Sequence, residues 1–158
     1  MEIPPVSTLL SSHDIPHRVF QHHHPIRTLE QAAEERGQKP EQVIRSILFR
    51  LGTNEFLMVL VAGSSQIPWA RLRNLLNQNR LSMASDEQVH QISGYLPGAV
   101  SPIGIETPLR ILADRRVFLP VEISLGSGQR GTAIIMASQD LFKIVPNLEI
   151  ARRVRIIV

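Results

Sequence analysis

Apolar residues recur along this chain in two rhythms, and the change from one to the other marks out its elements. In residues 6–13 the spacing of Val6, Leu9 and Leu10 predicts a short helix that Asp14-Ile15-Pro16 breaks, after which 17–21 runs extended. Thr28-Leu29-Glu30-Gln31 has capping-box spacing: the threonine oxygen takes one orphan amide and the glutamine side chain reaches back for another. The helix it opens should run to about Arg36, with Gly37 as its left-handed cap and Pro40 starting a further short turn through Val43. Residues 44–51 and 56–62 flank Gly52-Thr53-Asn54 and read as two strands joined by a tight turn. The second strand has no polar position, so both of its faces are expected to be buried.

Gly63 ends that strand, and Pro68 opens a helix in which Trp69, Leu72, Leu75 and Leu76 keep helical spacing. Ser85-Asp86-Glu87-Gln88 is a second capping box, whose helix stops near Ser93-Gly94. After a long loop, 109–113, 120–125 and 132–137 read as strands, the last two joined by the turn at 126–131. Ser138 is expected to cap a final helix through Val145, with Pro146 as its stop. Helices and strands alternate irregularly, without repeats or low-complexity linkers. The expected class is therefore α/β, more narrowly α+β: a mixed, largely antiparallel β-sheet or barrel-like sheet surrounded by helices, as one domain over residues 1–158.

Composition narrows the chemistry. With 158 residues and no cysteine, the chain can build one core but no disulfide framework, thiolate metal site or thiol nucleophile. It lacks a basic start followed by an apolar segment, and its longest strongly apolar run, 56–62, is far short of the roughly 20 residues of a membrane span. A cytoplasmic protein with no membrane contact is the expectation. The net charge of +3 comes from 17 basic and 14 acidic residues spread over both halves; only Arg152, Arg153 and Arg155 cluster. A DNA-reading basic stripe is not present, whereas contact with a short anionic ligand or an RNA end fits.

Four features could carry chemistry. In His22-His23-His24, adjacent imidazoles on a strand point to opposite faces, so at most two converge; a solvated strand end before Pro25 is expected, and no metal. The glycines at 126, 128 and 131 fit GxGxxG, yet a strand pattern follows and removes the helix N-terminus a phosphate needs, which favours a plain hairpin turn. Residues 93–104 form a loop of three glycines, two prolines and two serines. That loop is either an ordinary surface crossover or a preformed amide cradle for an oxyanion or carbonyl. Arg45 sits within an apolar strand and wants a partner: a structural ion pair, for instance with Asp114, or an anionic substrate group.

Arg45-Ser46-Ile47-Leu48-Phe49, Ala62-Gly63, Ser82-Met83-Ala84-Ser85, Gly94-Tyr95 through Gly104, Leu112-Ala113-Asp114 and Gly128-Gln129-Arg130-Gly131 together resemble the YbaK and prolyl-tRNA-synthetase-associated editing-domain family. The resemblance covers roughly residues 28–145, and Gly98 to Pro102 fits that family's GxxxP loop. It implies hydrolysis, without metal or organic cofactor, of the ester joining a wrong small amino acid to a tRNA 3′ end. The reaction would run in trans, since no synthetase body is present, and a synthetase is a possible partner. The nucleophile would be water or a group of the substrate itself. Mapped here, the resemblance implies catalytic roles for Arg45, Gly98, Ser101 and Pro102. It implies substrate contact for Ser46, Gly94, Tyr95, Ala99, Val100, Gly104, Asp114, Gly128 and Arg130. Arg45 stands where editing members carry lysine. An alternative implication is a non-catalytic module that binds a tRNA 3′ end, an aminoacyl-adenylate-like ligand or a synthetase.

Overall fold

A computed structural model describes residues 2–64 and 66–151. The chain runs α1 (Pro5–Ser12), β1 (His17–Gln21), α2 (Leu29–Glu35), a 3-10 turn (Pro40–Gln42), β2 (Ile44–Leu51), β3 (Glu55–Ala62), α3 (Trp69–Leu76) and β4 (Ser82–Met83). It continues through α4 (Asp86–Ser93), β5 (Arg110–Asp114), a 3-10 turn (Arg115–Phe118), β6 (Glu122–Gly126), β7 (Thr132–Ala137), a 3-10 turn (Ser138–Asp140), α5 (Leu141–Ile144) and β8 (Glu149–Ala151). The clustered arginines at 152, 153 and 155, and the apolar end at 156–158, lie outside the described residues.

Two sheets form. One has the order β1-β7-β6 and is antiparallel throughout; the other has the order β4-β2-β3-β5-β8. In the second, the β2–β3 hairpin and the β2–β4 pair are antiparallel, while β3–β5 and β5–β8 are parallel. A single parallel bridge, Val43 to Ser124, links the sheets, so no barrel closes and the barrel-like alternative gives way to two joined sheets. β3 lies between β2 and β5, and 57–62 are all buried, as its unbroken apolar run requires.

The pleat of the hairpin separates two cores. Ile44, Leu48, Met58, Leu60 and Ala62 face inward against Ile123 and Leu125 of β6 and Ile134 and Met136 of β7, with Val6 and Leu10 of α1 and Leu141 of α5 filling the ends. Phe49, Leu51, Leu57, Val59 and Val61 face the other way, under Leu72 and Leu76 of α3. Each inner methylene so buried adds about 0.8 kcal/mol, and the sheet is the common wall of both cores.

The caps follow local chemistry with two exceptions. Ser85 and Gln88 make a complete capping box at α4, and Gly94 ends that helix in the left-handed region. At α2 the Thr28 oxygen accepts from the Gln31 amide as expected, but the Gln31 side chain takes the amide of Arg27, one residue earlier than the box predicts. Ser138 does not cap a helix. Its hydroxyl donates to the Pro120 carbonyl at 2.6 Å and ties the end of β7 to the start of β6, and the expected helix shrinks to a 3-10 turn and the short α5. Among the described residues no helix is long and apolar enough to cross a membrane.

Candidate functional site

The long loop after α4 is not a loose crossover. Its entry is held by the Ser93 hydroxyl, which donates to the Val89 carbonyl at 2.6 Å and accepts from the Tyr95 amide at 3.1 Å. Tyr95 is half-buried, and its hydroxyl donates to the carbonyl of the fully buried Ile103. Burial, with the nearby charge of Glu106, holds that phenol above its ordinary range, so it remains a donor. The ring occupies space that a side chain at Gly104 or Gly128 would need: an added Cβ would lie 2.7 Å from the Tyr95 hydroxyl or 2.8 Å from Cε1. A Tyr95→Phe variant is expected to lose about 1–2 kcal/mol in urea unfolding, because the Ile103 carbonyl is left buried without its donor.

The loop is stapled along its length to the turn between β6 and β7. Gly128 donates its amide to the Ala99 carbonyl at 3.0 Å, and Arg130 Nε donates to the Pro97 carbonyl at 2.9 Å. Gly126 lies so close to Val100 that the two backbones touch. The turn is itself rigid: the buried Ser127 hydroxyl accepts the Gln129 amide at 3.1 Å, and the Ser127 carbonyl accepts the Val6 amide at 3.2 Å. Within the loop the Ala99 amide is used by Leu96 O, and the Ile103 amide by the Ser101 hydroxyl at 3.2 Å. The amides of Gly98, Val100 and Ser101 donate to no other group among the described residues. Gly98 has φ +87, a left-handed conformation that strains any residue with a Cβ.

Structure thus gathers Gly94, Tyr95, Gly98 to Pro102, Gly104, Gly128 and Arg130 into one loop-and-turn unit. Ala99, Ser101 and Pro102 are buried, and Ser101 spends its hydroxyl oxygen inside the loop. Pro102 and Gly104 also border a cleft of about 460 Å³ with Leu9, Ile105 and Ile144. Arg45, Ser46 and Asp114 belong to the five-stranded sheet. The Val43–Ser124 bridge brings the start of β2 alongside β6, the strand that ends at Gly126 against the loop.

Arg45 is partly exposed, and its Nε donates to the Gly63 carbonyl at 2.7 Å. Gly63 is fixed in turn by its amide on the Val43 carbonyl at 2.9 Å. Partial burial lowers the guanidinium from its ordinary pKa, yet leaves it a cation at neutral pH. Ser46 alternates to the inner face with Ile44 and Leu48, and its Oγ is buried without a hydrogen-bond partner among the described residues. Asp114 is fully buried at the end of β5, where its Oδ1 accepts the Arg116 amide at 2.9 Å and caps a 3-10 turn.

One polar cluster escaped the sequence reading. His22, expected at a solvated strand end, is buried; its Nε2 accepts from Arg36 Nε at 3.0 Å, so Nδ1 carries the hydrogen and donates to Glu35 Oε1 at 3.0 Å. Arg36 Nη1 donates to Ser124 Oγ at 2.9 Å, at the bridge beside β2. Burial pulls the Arg36 pKa down to about 10, and the hydrogen bond from His22 lowers that of Glu35. His23 and His24 are exposed. No local pattern in the sequence marks this network, because its members lie 13 and 14 residues apart on different elements.

A family model described as an aminoacyl-tRNA editing domain matches residues 23–144. The proline–tRNA ligase of Limosilactobacillus reuteri (strain DSM 20016) is 29% identical over 117 residues, 72% of this chain and 20% of that one. That of Bacillus licheniformis is 30% identical over 104 residues, 66% of this chain and 18% of that one. The chain therefore spans about a fifth of the length of these relatives. Among solved structures, a candidate trans-editing enzyme for prolyl tRNA synthetase superposes with a TM-score of 0.80 at 22% identity, covering 95% of this chain and 97% of that one. A hypothetical protein superposes at 0.79 with 16% identity, covering 92% and 95%. Both share the fold.

Proposed function

This chain belongs to the family of aminoacyl-tRNA editing domains, and from that premise we propose that it hydrolyses the ester between a small, wrongly attached amino acid and the 3′ end of a tRNA, acting in trans. The observation that carries the reading is the loop at 98–102, a stretch with three uncommitted amides held rigid by the β6–β7 turn. Water adds to the ester carbonyl, the carbonyl oxygen gains negative charge, and the amides of Gly98, Val100 and Ser101 receive it. Donors fixed beforehand stabilise that charge without reorganising, which is worth about 10²–10³ in rate per donor. Collapse expels the ribose oxygen, which takes a proton as the free amino acid leaves. No side chain of the protein forms a covalent bond to the substrate; the nucleophile is water, positioned by the protein and by the substrate's own groups.

In this scheme Arg45 grips the terminal phosphate or ribose, a task its guanidinium fork performs bidentately where an ammonium would act as a point charge. Pro102 and Ser101 hold the shape of the cradle, and Ala99 lines it. Gly94, Tyr95, Gly104, Gly128 and Arg130 keep the loop on its support, while Asp114 fixes the end of β5 two strands from Arg45. The resemblance assigns Ser46 to the substrate, and its Oγ, closed to solvent here, would reach the ester by opening of the start of β2. Its unpartnered Oγ separates stability from function: Ser46→Ala is expected to leave urea stability unchanged or raise it by up to about 1 kcal/mol, since nothing is orphaned. The same variant should slow deacylation roughly tenfold, as for loss of one neutral hydrogen bond to the substrate.

The direct test is incubation of the purified protein with a panel of tRNAs mischarged with alanine, cysteine, serine or threonine. Ester loss above the buffer rate for at least one of them is expected. Survival of every ester, together with tighter binding of charged than uncharged tRNA, would replace the hydrolase by a binding module of the same fold.

A further inference from the structure

The network around His22 contains a cation that the proposed reaction leaves idle. Arg36 is half-buried at the end of α2, where burial pulls its pKa down to about 10. Its Nε donates to His22 Nε2 at 3.0 Å and its Nη1 to Ser124 Oγ at 2.9 Å, which fixes the plane of the fork. Nη2 donates to no group among the described residues, and the side chain makes no ion pair there. The neighbouring Glu35 is already spent: its carboxylate accepts from His22 Nδ1 at 3.0 Å and from Gln31 Nε2 at 2.9 Å. His22 is itself buried and held from both sides, so the end of α2 presents a rigid guanidinium whose counter-charge the described residues do not supply. Taking a cation out of water without a partner is costly, and such a group is kept where a ligand brings the acceptor.

The pleat of β6 shows where that fork stands. Ile123 and Leu125 face the core, so Ser124 and Gly126 share the opposite face. Arg36 covers that face at Ser124, and the Val100 carbonyl covers it at Gly126, where an added Cβ would run into the oxygen. The parallel bridge between Val43 and Ser124 carries the same level across to β2, so Arg45 falls beside Gly126. One two-residue step of strand, about 7 Å, thus separates the Arg36 anchor from the loop with its uncommitted amides at Gly98, Val100 and Ser101. A single oxygen that accepts at about 2.9 Å from each side spans a gap of this order.

We infer that Arg36 is a further catalytic residue, whose free Nη2 donates to the ester oxygen as it becomes an oxyanion, opposite the loop amides. The inference rests on the reading of the chain as an ester hydrolase. The step it serves forms a bond from a water oxygen to the ester carbon and moves the carbonyl pair onto oxygen. On collapse the bond to the ribose oxygen breaks, and that oxygen takes a proton of the water. A full positive charge at the edge of the loop adds to the attraction of the neutral amides where negative charge develops.

The test uses two unreactive mimics of the substrate end. One is an aminoacyl adenosine joined through a 3′-amide, with a neutral carbonyl; the other is its phosphonate counterpart, with a tetrahedral anion where the oxyanion forms. Arg36→Gln is expected to weaken phosphonate binding by about 10²-fold and amide binding by less than about threefold. It should lower kcat on a mischarged tRNA by about 10²–10³ with KM nearly unchanged, and Arg36→Lys should recover part of the phosphonate affinity. Because the glutamine variant strips a partner from buried His22, Ser124→Ala is measured beside it. That change frees one arm of the fork, and about a tenfold loss on the phosphonate alone is expected. Equal losses on both mimics would make Arg36 a strut between α2 and β6, and unchanged phosphonate affinity would overturn the assignment as well. If wild type cleaves no ester yet prefers the phosphonate through Arg36, the hydrolase reading fails while this anion-binding role stands. If wild type cleaves the ester and the Arg36→Gln protein does so at the same rate, the hydrolase reading stands and Arg36 drops out of it.

Discussion

Replacing Gly126 by alanine is expected to slow editing by about 10²-fold while leaving most of the sheet intact. A Cβ at this position would sit 1.9 Å from the Val100 carbonyl oxygen, 2.7 Å from its carbon and 3.2 Å from the Ala99 carbonyl oxygen. All three are backbone atoms, so no rotamer change relieves the contact; the loop must lift off its support by more than an ångström. Lifting breaks the Gly128 bond to Ala99 and the Arg130 bond to Pro97, the two staples that hold the uncommitted amides in place. Overpacking of this kind costs about 1–3 kcal/mol. The rate should suffer more, by about 10²-fold, which is the scale for a misplacement of 1 Å at a reacting centre. Urea unfolding and single-turnover deacylation of the most reactive mischarged tRNA measure the two effects separately. Gly131→Asn is the matched control: that glycine has φ +80 with nothing within 4 Å of its Cβ position, and asparagine tolerates the left-handed region. A Gly126→Ala protein that edits at the wild-type rate would show that the amides of this loop are not where the ester carbonyl rests.

Arg45→Ala carries the second large effect. The guanidinium is the cation at the Gly63 strand end, and its loss removes the group proposed to hold the terminal phosphate or ribose. A fall in kcat/KM of about 10²–10³ is expected, the range for removing one preorganised electrostatic donor. Stability should change by less than about 1.5 kcal/mol, because the side chain is partly exposed and water can take over the Gly63 carbonyl. Arg45→Lys keeps the charge but loses the fork, and it should retain activity to within about tenfold of wild type, since the ammonium still serves as a point charge. Steady-state kinetics with urea unfolding on the same samples separates the outcomes. If alanine and lysine variants are equally inactive and equally destabilised, Arg45 is a structural residue; if the alanine variant is fully active, the assignment to substrate is wrong.

Much of the local structure was legible in the chain because it is decided within one turn of backbone. Ser85 and Gln88 sit at the spacing that closes a capping box, and the box is there. The unbroken apolar run of β3 demanded cover on both faces and has it, and the glycines at 126, 128 and 131 gave a hairpin turn where a strand pattern followed. The loop and Arg45 were likewise visible as anomalies: too many glycines and prolines in one place, and a charge in an apolar strand. What each of them touches was not visible.

His22 shows the limit. A run of three histidines before a proline reads as solvated, yet Arg36 and Glu35 of α2 draw the first of them inside, through contacts 13 and 14 residues away in sequence. Ser138 had the right residue type for a cap, but the Pro120 carbonyl, 18 residues away, competes for its hydroxyl and wins.

From composition and periodicity alone came most of the elements, though not β4, β8 or the true extent of the last helix, together with the two-faced burial of the central strand, the exclusion of thiol chemistry and the shortlist of unusual residues, since each depends on interactions within a few positions or on residue type. The tertiary structure alone decided the parallel pairing of β3 with β5 and β5 with β8, the seating of Gly126 on Val100, and the meeting of Arg36 with Ser124. Those contacts join segments far apart in the chain, and which pair forms depends on how the whole set of apolar faces can be buried at once.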